Sequence, residues 1–259
     1  MAIPLIVHGA AGRMGTRILA LAAQDPATFR IVAGVDRQAG SLRDLGVASD
    51  APLLAALPVE RGAVVVDFSH PACFAALCAH CATHDMGVVS GTTGIEPAAL
   101  EQALAAASAR SAVLAAPNMS VGVNVVFQIA ARIARTLGLD YDIEVVEAHH
   151  NQKKDAPSGT ALGITDAICA ATGRTRSDLV NGREGQVGAR RKGEIGVHAL
   201  RMGDVVGDHT AYFVGHGERI TLGHVAHSRD IFAQGALRAA AFIGRAKPGR
   251  YTMADVLGL

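Results

Sequence analysis

Ile3-Pro4-Leu5-Ile6-Val7-His8-Gly9-Ala10-Ala11-Gly12-Arg13-Met14-Gly15 is the stretch on which the fold turns. Residues 3–8 are an apolar run of strand length, and Met14, Ile18, Leu21 and Ala22 then recur at helical spacing as far as Asp25-Pro26. Strand, glycine-rich turn and helix is the context in which glycines let the backbone approach a pyrophosphate at a helix N-terminus. The order is G-x-x-G-x-x-G, with Ala11 where a glycine is expected. The next apolar run, 30–35, ends at Asp36, about twenty residues past the last glycine, where a dinucleotide fold places an acid for the ribose hydroxyls. Arg37 follows, and a guanidinium there can pair with a ribose 2′-phosphate. The competing reading is a βαβ unit whose glycines serve only tight packing.

The alternation continues. Strands are predicted at 63–68, 87–90 and 112–116, and helices at 71–83 and 97–109. Apolar strands alternating with helices imply a Rossmann-type, doubly wound parallel sheet covered on both faces, an α/β fold. Ligands bind such sheets beyond the carboxyl ends of the strands. Gly9–Gly15, Asp36, Gly91-Thr92-Thr93 and Ala116-Pro117-Asn118-Met119 all fall there. Residues 120–137 read as a long helix, with Val121, Val125, Ile129 and Ile133 one turn apart on one side and Gly138 as its stop. From Glu194 the pattern becomes glycine-punctuated and β-rich, over 195–202, 209–214 and 218–227. This is a second, α+β domain with a mixed sheet. A last helix, capped by Ser228 or Asp230, runs through Ile243 and is assigned back to the first domain. The expected division is a dinucleotide-binding domain of residues 1–119 and 229–259, and a second domain of residues 120–228.

Between a predicted strand ending near Val146 and a helix from Ala161 to Ala171 lies Glu147-Ala148-His149-His150-Asn151-Gln152-Lys153-Lys154-Asp155-Ala156-Pro157-Ser158-Gly159-Thr160. Ser158 is a natural N-cap, and it places the N–H groups of Gly159 and Thr160 in the anion-attracting first turn. Two lysines add positive charge, and a histidine moves protons near neutral pH. The run suits an anionic, carboxylated small molecule beside a proton-transfer group. It also reads as a polar surface loop, or as a metal site, although adjacent histidines at a strand end point to opposite faces.

The 259 residues carry a formal net charge of +1, with no basic excess of the kind that binds nucleic acid or anionic membranes. No apolar run approaches the eighteen or so residues that span a bilayer. The N-terminus lacks a basic n-region, so a cytoplasmic protein is the expectation.

Taken in chain order, Gly9 to Gly15, Gly91-Thr92-Thr93-Gly94, Pro117 to Asn124, Glu147 to Ala161, Phe213 to Ile220 and Ala226-His227-Ser228-Arg229 resemble the dihydrodipicolinate reductase (4-hydroxy-tetrahydrodipicolinate reductase) family over essentially the whole chain. The Glu147–Ala161 run is highly specific; the glycine fingerprint is not. The resemblance implies an oxidoreductase that uses NADH or NADPH to reduce 4-hydroxy-tetrahydrodipicolinate, a cyclic dicarboxylate, to tetrahydrodipicolinate in the diaminopimelate route to lysine. It implies His149 as proton donor/acceptor, Lys153 as proton donor, and His150, Gly159 and Thr160 as substrate-binding residues. Gly9, Ala10, Ala11, Gly12, Arg13, Met14, Asp36, Gly91, Thr92, Thr93, Ala116, Pro117, Asn118 and Met119 take cofactor positions, with Arg37 available to a 2′-phosphate. It implies a homotetramer formed through the second-domain sheet, which makes residues 120–228 a substrate-binding and oligomerisation domain. Four positions depart from or blur the pattern: Asn151-Gln152 stand where many members differ, Lys154 duplicates Lys153, and Asp36 stands in place of a longer acid. A different two-domain oxidoreductase and a non-catalytic dinucleotide sensor are the rival readings.

Cys73, Cys78 and Cys81 have the C-x4-C-x2-C spacing of an iron–sulfur ligand set, with Cys169 as a possible fourth and His84 as a zinc ligand. The run is alanine-rich, opens with Pro71 at a helix N1 and lacks the glycines of a cluster loop. On a helix Cys73, Leu77 and Cys81 share one face and read as buried packing residues, with no metal. Elemental analysis of freshly purified protein is expected to find neither iron nor zinc; a stoichiometric amount of either overturns this reading.

Overall fold

The computed structural model describes all 259 residues. They form two units, Met1–Val121 with Asp230–Leu259, and Gly122–Arg229. In chain order the first half contains β1 (Ile3–His8), α1 (Arg13–Ala23), β2 (Phe29–Val35), β3 (Gly40–Ser41), β4 (Pro52–Leu54), β5 (Val64–Asp67), α2 (Phe74–Thr83), β6 (Gly87–Ser90), α3 (Pro97–Ser108) and β7 (Ala112–Ala115). Next come α4 (Val121–Leu137), β8 (Asp142–His149), α5 (Gly159–Thr172), β9 (Leu179–Asn181), β10 (Ile195–Arg201), β11 (Asp208–Val214) and β12 (Arg219–Val225). The chain closes with α6 (Asp230–Ile243), β13 (Gly249–Tyr251) and α7 (Met253–Leu257).

The first unit is an eight-stranded sheet of order β13-β7-β6-β5-β1-β2-β4-β3, parallel throughout except at the β3–β4 pair. Alternation along each strand feeds two cores. Leu5, Val7, Val64 and Val66 face a layer that includes Ile18 and Leu19 of α1 and Ala236 and Ala240 of α6. Ile6 and Val65 face Phe74 and Leu77 of α2 and Leu104 of α3. This doubly wound α/β sheet is the fold class read from the sequence. The edge pieces β3, β4, β13 and α7 carried too little periodicity to be read from sequence.

Two expectations need correction. Cys73 is exposed, because it lies in a 3-10 turn, Pro71–Cys73, ahead of α2, so helical spacing does not extend back to it. Cys78 and Cys81 are buried in the second core, and burial pushes both thiols up to about 12. On α4 the buried stripe is Val123, Val126, Ala130 and Ala134, while Ile129 of the expected stripe is 40% exposed. The helix offers two candidate faces, and the one with alanines lets it approach its neighbours more closely.

The second unit is a mixed five-stranded sheet of order β12-β11-β8-β10-β9. β8 runs parallel to β10 and antiparallel to β11. Ile143 and Val145 of β8, Ile195 of β10 and Ala211 and Phe213 of β11 share one face and pack on Val126 of α4 and Ile164 and Ile168 of α5. On the other face Glu144 accepts hydrogen bonds from Arg183 (2.8 and 3.1 Å) and Arg190 (3.2 Å) and pairs with Nε2 of His198 at 2.8 Å. Its register partner is Gly196, where a Cβ would come within 1.8 Å of the carboxylate. Burial alone would raise the Glu144 carboxyl, but Arg183 and His198 bring it down from 4.5 to about 2. A depressed carboxyl stabilises the fold above its unfolded value and loses that contribution as pH falls through the folded one. Urea midpoints of the native protein should therefore drop between pH 4.5 and about 2, and Glu144→Gln should be less stable at pH 7 yet show a smaller drop over that window. An equal acid-induced drop in both proteins rules out Glu144 as its source.

Candidate active site

The carboxyl end of β8 changes character without changing face. Ile143 and Val145 enter the core, and Glu147 and His149 continue on the same side, as a period of two requires. Glu147 is 0% exposed. Its Oε1 accepts the N–H of Ser158 at 3.0 Å and its Oε2 lies 2.6 Å from Nδ1 of His149. Arg201 adds a fork, donating to the two oxygens at 2.8 and 2.9 Å. Burial would raise this carboxyl, but Arg201, His149 and the Ser158 N–H outweigh it and hold it below the usual carboxylate range. An ionised carboxylate only accepts, so Nδ1 of His149 carries a proton toward it and Nε2 is the ring nitrogen facing away from that contact. Nε2 lies beside Gly207, where a Cβ would approach to 3.1 Å.

Register brings in residues that sequence spacing cannot. Arg201 is the β10 partner of His149, and His209 is the β11 partner of Glu147. The His209 ring meets His149 edge-on at 5.1 Å, and its Nε2 lies 2.9 Å from Oγ of Ser158. Burial and then the neighbouring His149 push His209 down to about 4, so it is neutral at pH 7. Ser158 caps α5, its Oγ accepting from the N–H of Ala161 at 3.2 Å, and Gly159 and Thr160 form the opening turn. Lys153 is half-buried, its Nζ held by both oxygens of Asp155 at 2.9 and 2.8 Å, whereas Lys154 is exposed. His150 is half-buried just past the strand. The arrangement joins an oriented imidazole and a cation to a helix start suited to a carboxylate. Glu147 and His149, two apart on a strand, were a readable signal; Arg201, His209 and the Lys153–Asp155 pair were not.

In the first unit Gly9 has φ +80°, and a Cβ there would come within 2.5 Å of the Phe68 carbonyl. A Cβ on Gly15 would sit 2.1 Å from the Gly9 carbonyl, so these two glycines are required by packing alone. Gly12, at the start of α1, is less confined, with 3.2 Å to its nearest atom. The turn borders a cleft of about 770 Å³ lined by Gly9, Ala11, Gly12, Asp36, Arg37, Phe68, Ser69, His70 and Cys73 among others. Its backbone edge and terminal acid fit a dinucleotide. Oδ2 of Asp36 accepts the Ala11 N–H at 2.9 Å, and Oδ1 accepts the Arg37 N–H at 2.8 Å. Ala10 is buried beneath the turn, its N–H bonded to the Val35 carbonyl at 3.1 Å. Arg13 and Met14 begin α1. Gly91-Thr92-Thr93 and Ala116–Met119 follow β6 and β7 but do not line this cleft, and Met119 is buried.

Beneath that edge Asp67 is fully buried at the end of β5. It accepts from Ser69 Oγ (2.5 Å), Ser90 Oγ (2.7 Å) and Thr92 Oγ1 (2.8 Å), and pairs with His8 Nδ1 (3.0 Å). Burial would raise Asp67, yet His8 and the three hydroxyls hold it below its ordinary value. Sequence reading passed over this residue. No group of three or more His, Cys, Asp or Glu side chains is arranged to hold a metal ion, and no helix is long and apolar enough to cross a membrane.

A Rossmann sheet with a glycine turn and terminal acid, joined to a second unit with an oriented histidine, defines a nucleotide-dependent oxidoreductase. Comparison with known proteins narrows the class. The family profile "Dihydrodipicolinate reductase, N-terminus" matches residues 3–119, and "Dihydrodipicolinate reductase, C-terminus" matches residues 122–257. The 4-hydroxy-tetrahydrodipicolinate reductase of Myxococcus xanthus (strain DK1622) is 46% identical, over 99% of this chain and 98% of that one. The enzyme of the same name from Anaeromyxobacter sp. (strain Fw109-5) is 44% identical over the same shares. Among solved structures, a dipicolinate-bound dihydrodipicolinate reductase from Paenisporosarcina sp. TG-14 shares the fold with TM-score 0.76 and 24% identity, over 98% of this chain and 99% of that one. The chain belongs to the dihydrodipicolinate reductase family.

Proposed function

We propose that this chain reduces 4-hydroxy-tetrahydrodipicolinate to tetrahydrodipicolinate with a reduced nicotinamide nucleotide, in the diaminopimelate route to lysine. The observation that carries the reading is family membership across both halves of the chain, with the Glu147–Thr160 run intact and folded around a buried His149. By the names of substrate and product, one hydride enters, one proton is taken up and the 4-hydroxyl leaves as water. A bound reduced nicotinamide supplies the hydride. Gly9, Ala11, Gly12 and Asp36, which line the first-unit cleft, would hold it. Ala10, Arg13, Met14, Gly91–Thr93 and Ala116–Met119 complete the proposed cofactor set from neighbouring positions.

Hydride addition leaves the substrate skeleton electron-rich, so a positioned acid must deliver a proton. His149 and Lys153 take that work. The Glu147 contact supports His149, because it fixes the proton on Nδ1 and presents Nε2. The half-burial of Lys153 against an exposed Lys154 favours Lys153 as the amine that acts. His150, Gly159 and Thr160 bind the substrate, the last two at the start of α5, where backbone N–H groups favour a carboxylate. The reading is tested by adding freshly made product of the preceding synthase and following loss of the reduced-nicotinamide absorbance. No loss with either nucleotide rejects it.

His149→Gln and Lys153→Ala should each lower turnover by roughly 10²–10⁴-fold, the usual span for general acid–base groups, with cofactor affinity almost unchanged. A variant that keeps near-normal turnover removes its residue from the mechanism.

Cofactor choice rests on two adjacent residues of opposite charge. The Asp36 carboxylate suits the two ribose hydroxyls of NADH and repels a 2′-phosphate, whereas Arg37 can pair with that phosphate. Both nucleotides should work, within about tenfold of each other, or about 1.4 kcal/mol. Arg37→Ala should weaken NADPH and spare NADH; Asp36→Ala should do the reverse. The ratio of kcat/KM for the two cofactors in each variant is the measurement, and an equal loss of both in Arg37→Ala assigns that side chain to structure.

A further inference from the structure

We propose that Arg201 is a positioning residue for proton transfer, one guanidinium that holds both the His149 site and the Lys153 site in place. The proposal rests on the reductase reading above. Four contacts carry it. Arg201 donates to both oxygens of Glu147, at 2.8 and 2.9 Å, and Glu147 in turn holds Nδ1 of His149 at 2.6 Å. The same guanidinium donates to the backbone carbonyl of Asp155 at 2.7 Å. The Asp155 carboxylate holds Nζ of Lys153 through both its oxygens. Arg201 is thus two links from each proton-transfer group, and no other side chain described at this site reaches both branches.

The position follows from the sheet. Arg201 is the last residue of β10 and the register partner of His149, so their side chains share a face. The strand pairing continues past it, with the Met202 N–H on the His149 carbonyl at 2.9 Å and the Asn151 N–H on the Gly203 carbonyl at 3.2 Å. The backbone beneath the site is therefore fixed independently of the guanidinium. What the side chain adds is charge and a planar fork, which lysine lacks. A buried carboxylate with a permanent cation on it stays an acceptor. Without the cation, the histidine is the remaining partner able to neutralise it. The charged and titratable groups around His149 are Glu147 on β8, Arg201 on β10, His209 on β11 with His224 opposite it on β12, and Lys153 and Asp155 in the loop.

The test uses full-length protein labelled with ¹⁵N-histidine and compares native protein with Arg201→Met, Arg201→Lys and the double variant Glu147→Gln/Arg201→Met. In Arg201→Met the His149 titration midpoint should rise by about one unit or more relative to the native protein, as its proton becomes the counter-charge of Glu147. Turnover should fall about tenfold or more, while the substrate KM moves less than about threefold and the cofactor Kd stays constant. Arg201→Lys should keep the charge but lose the fork, giving a smaller rise in midpoint and a partial loss of kcat. The double variant separates positioning from bulk stability. With both buried charges gone its melting temperature should recover, and kcat should stay low. An unchanged His149 midpoint with kcat within about twofold in Arg201→Met overturns the proposal, and so does a double variant that regains native kcat. Where Arg201→Met does not fold, the His149 midpoint in Arg201→Lys and the kcat of the double variant decide the matter instead. Failure of the native protein to reduce the substrate would reject the reductase reading alone, because the imidazole titration decides the role of Arg201 without substrate.

Discussion

The second unit depends on one buried negative charge. Glu147 is wholly removed from water, and an unpaired carboxylate in that position would be strongly destabilising. It is tolerated because four donors converge on it: the two arms of Arg201, Nδ1 of His149 and the N–H of Ser158. The three residues that supply these donors come from three different local structures. Arg201 ends β10, His149 ends β8, and Ser158 begins the cap of α5. Satisfying one charge therefore fixes where two strands and a helix end relative to one another. In the proposed reaction the same constraint serves function, since the histidine that satisfies the carboxylate would have its other nitrogen left for proton transfer.

The first unit solves a similar problem in a similar way. Asp67 ends β5 and is fully buried, and its donors are His8 from β1, Ser90 and Thr92 from β6 and its following turn, and Ser69 two residues further along the chain. Within a parallel sheet the ladder satisfies the backbone, and polar side chains are excluded from the two covered faces. At the carboxyl ends the ladder stops, and loops leave with groups that need partners. A buried acid there collects them. That edge is also where the glycine turn and Asp36 stand, so the device that closes the sheet also stiffens the rim of the cleft.

What was legible in the sequence divides along physical lines. Local signals could be read: the glycine turn, the strand–helix alternation, the Ser158 cap, and Ala161, Ile164 and Ile168 on the buried side of α5. Signals that depend on register could not. Arg201 lies 54 residues from Glu147, and only the pairing of β10 with β8 brings it onto the same face. His209 enters through β11 in the same way. The α4 stripe was misread because that helix is apolar on more than one side, and choosing a side requires knowing which neighbour packs closely. Cys73 was misread because a 3-10 turn precedes α2, which shifts the angular spacing on which the helical argument depended.

The glycine turn beside the first-unit cleft is closely packed against its own backbone. Gly9 and Gly15 are locked against backbone atoms, so the turn has little freedom left to lose. The Asp36 carboxylate is held at both oxygens, by the N–H of Ala11 across the turn and by that of Arg37 beside it. In the proposed complex a ribose hydroxyl donating to Asp36 would meet a carboxylate whose plane is already set, and each oxygen has lone-pair capacity remaining. Binding then needs little further ordering of the chain, which is where much of the entropic cost of association lies. The Arg37 side chain does not share this fixation: only its backbone N–H contacts Asp36 in this network. On the proposed reading, the acid that would meet the ribose hydroxyls is held at both oxygens, whereas the guanidinium that would meet a 2′-phosphate is not part of that network.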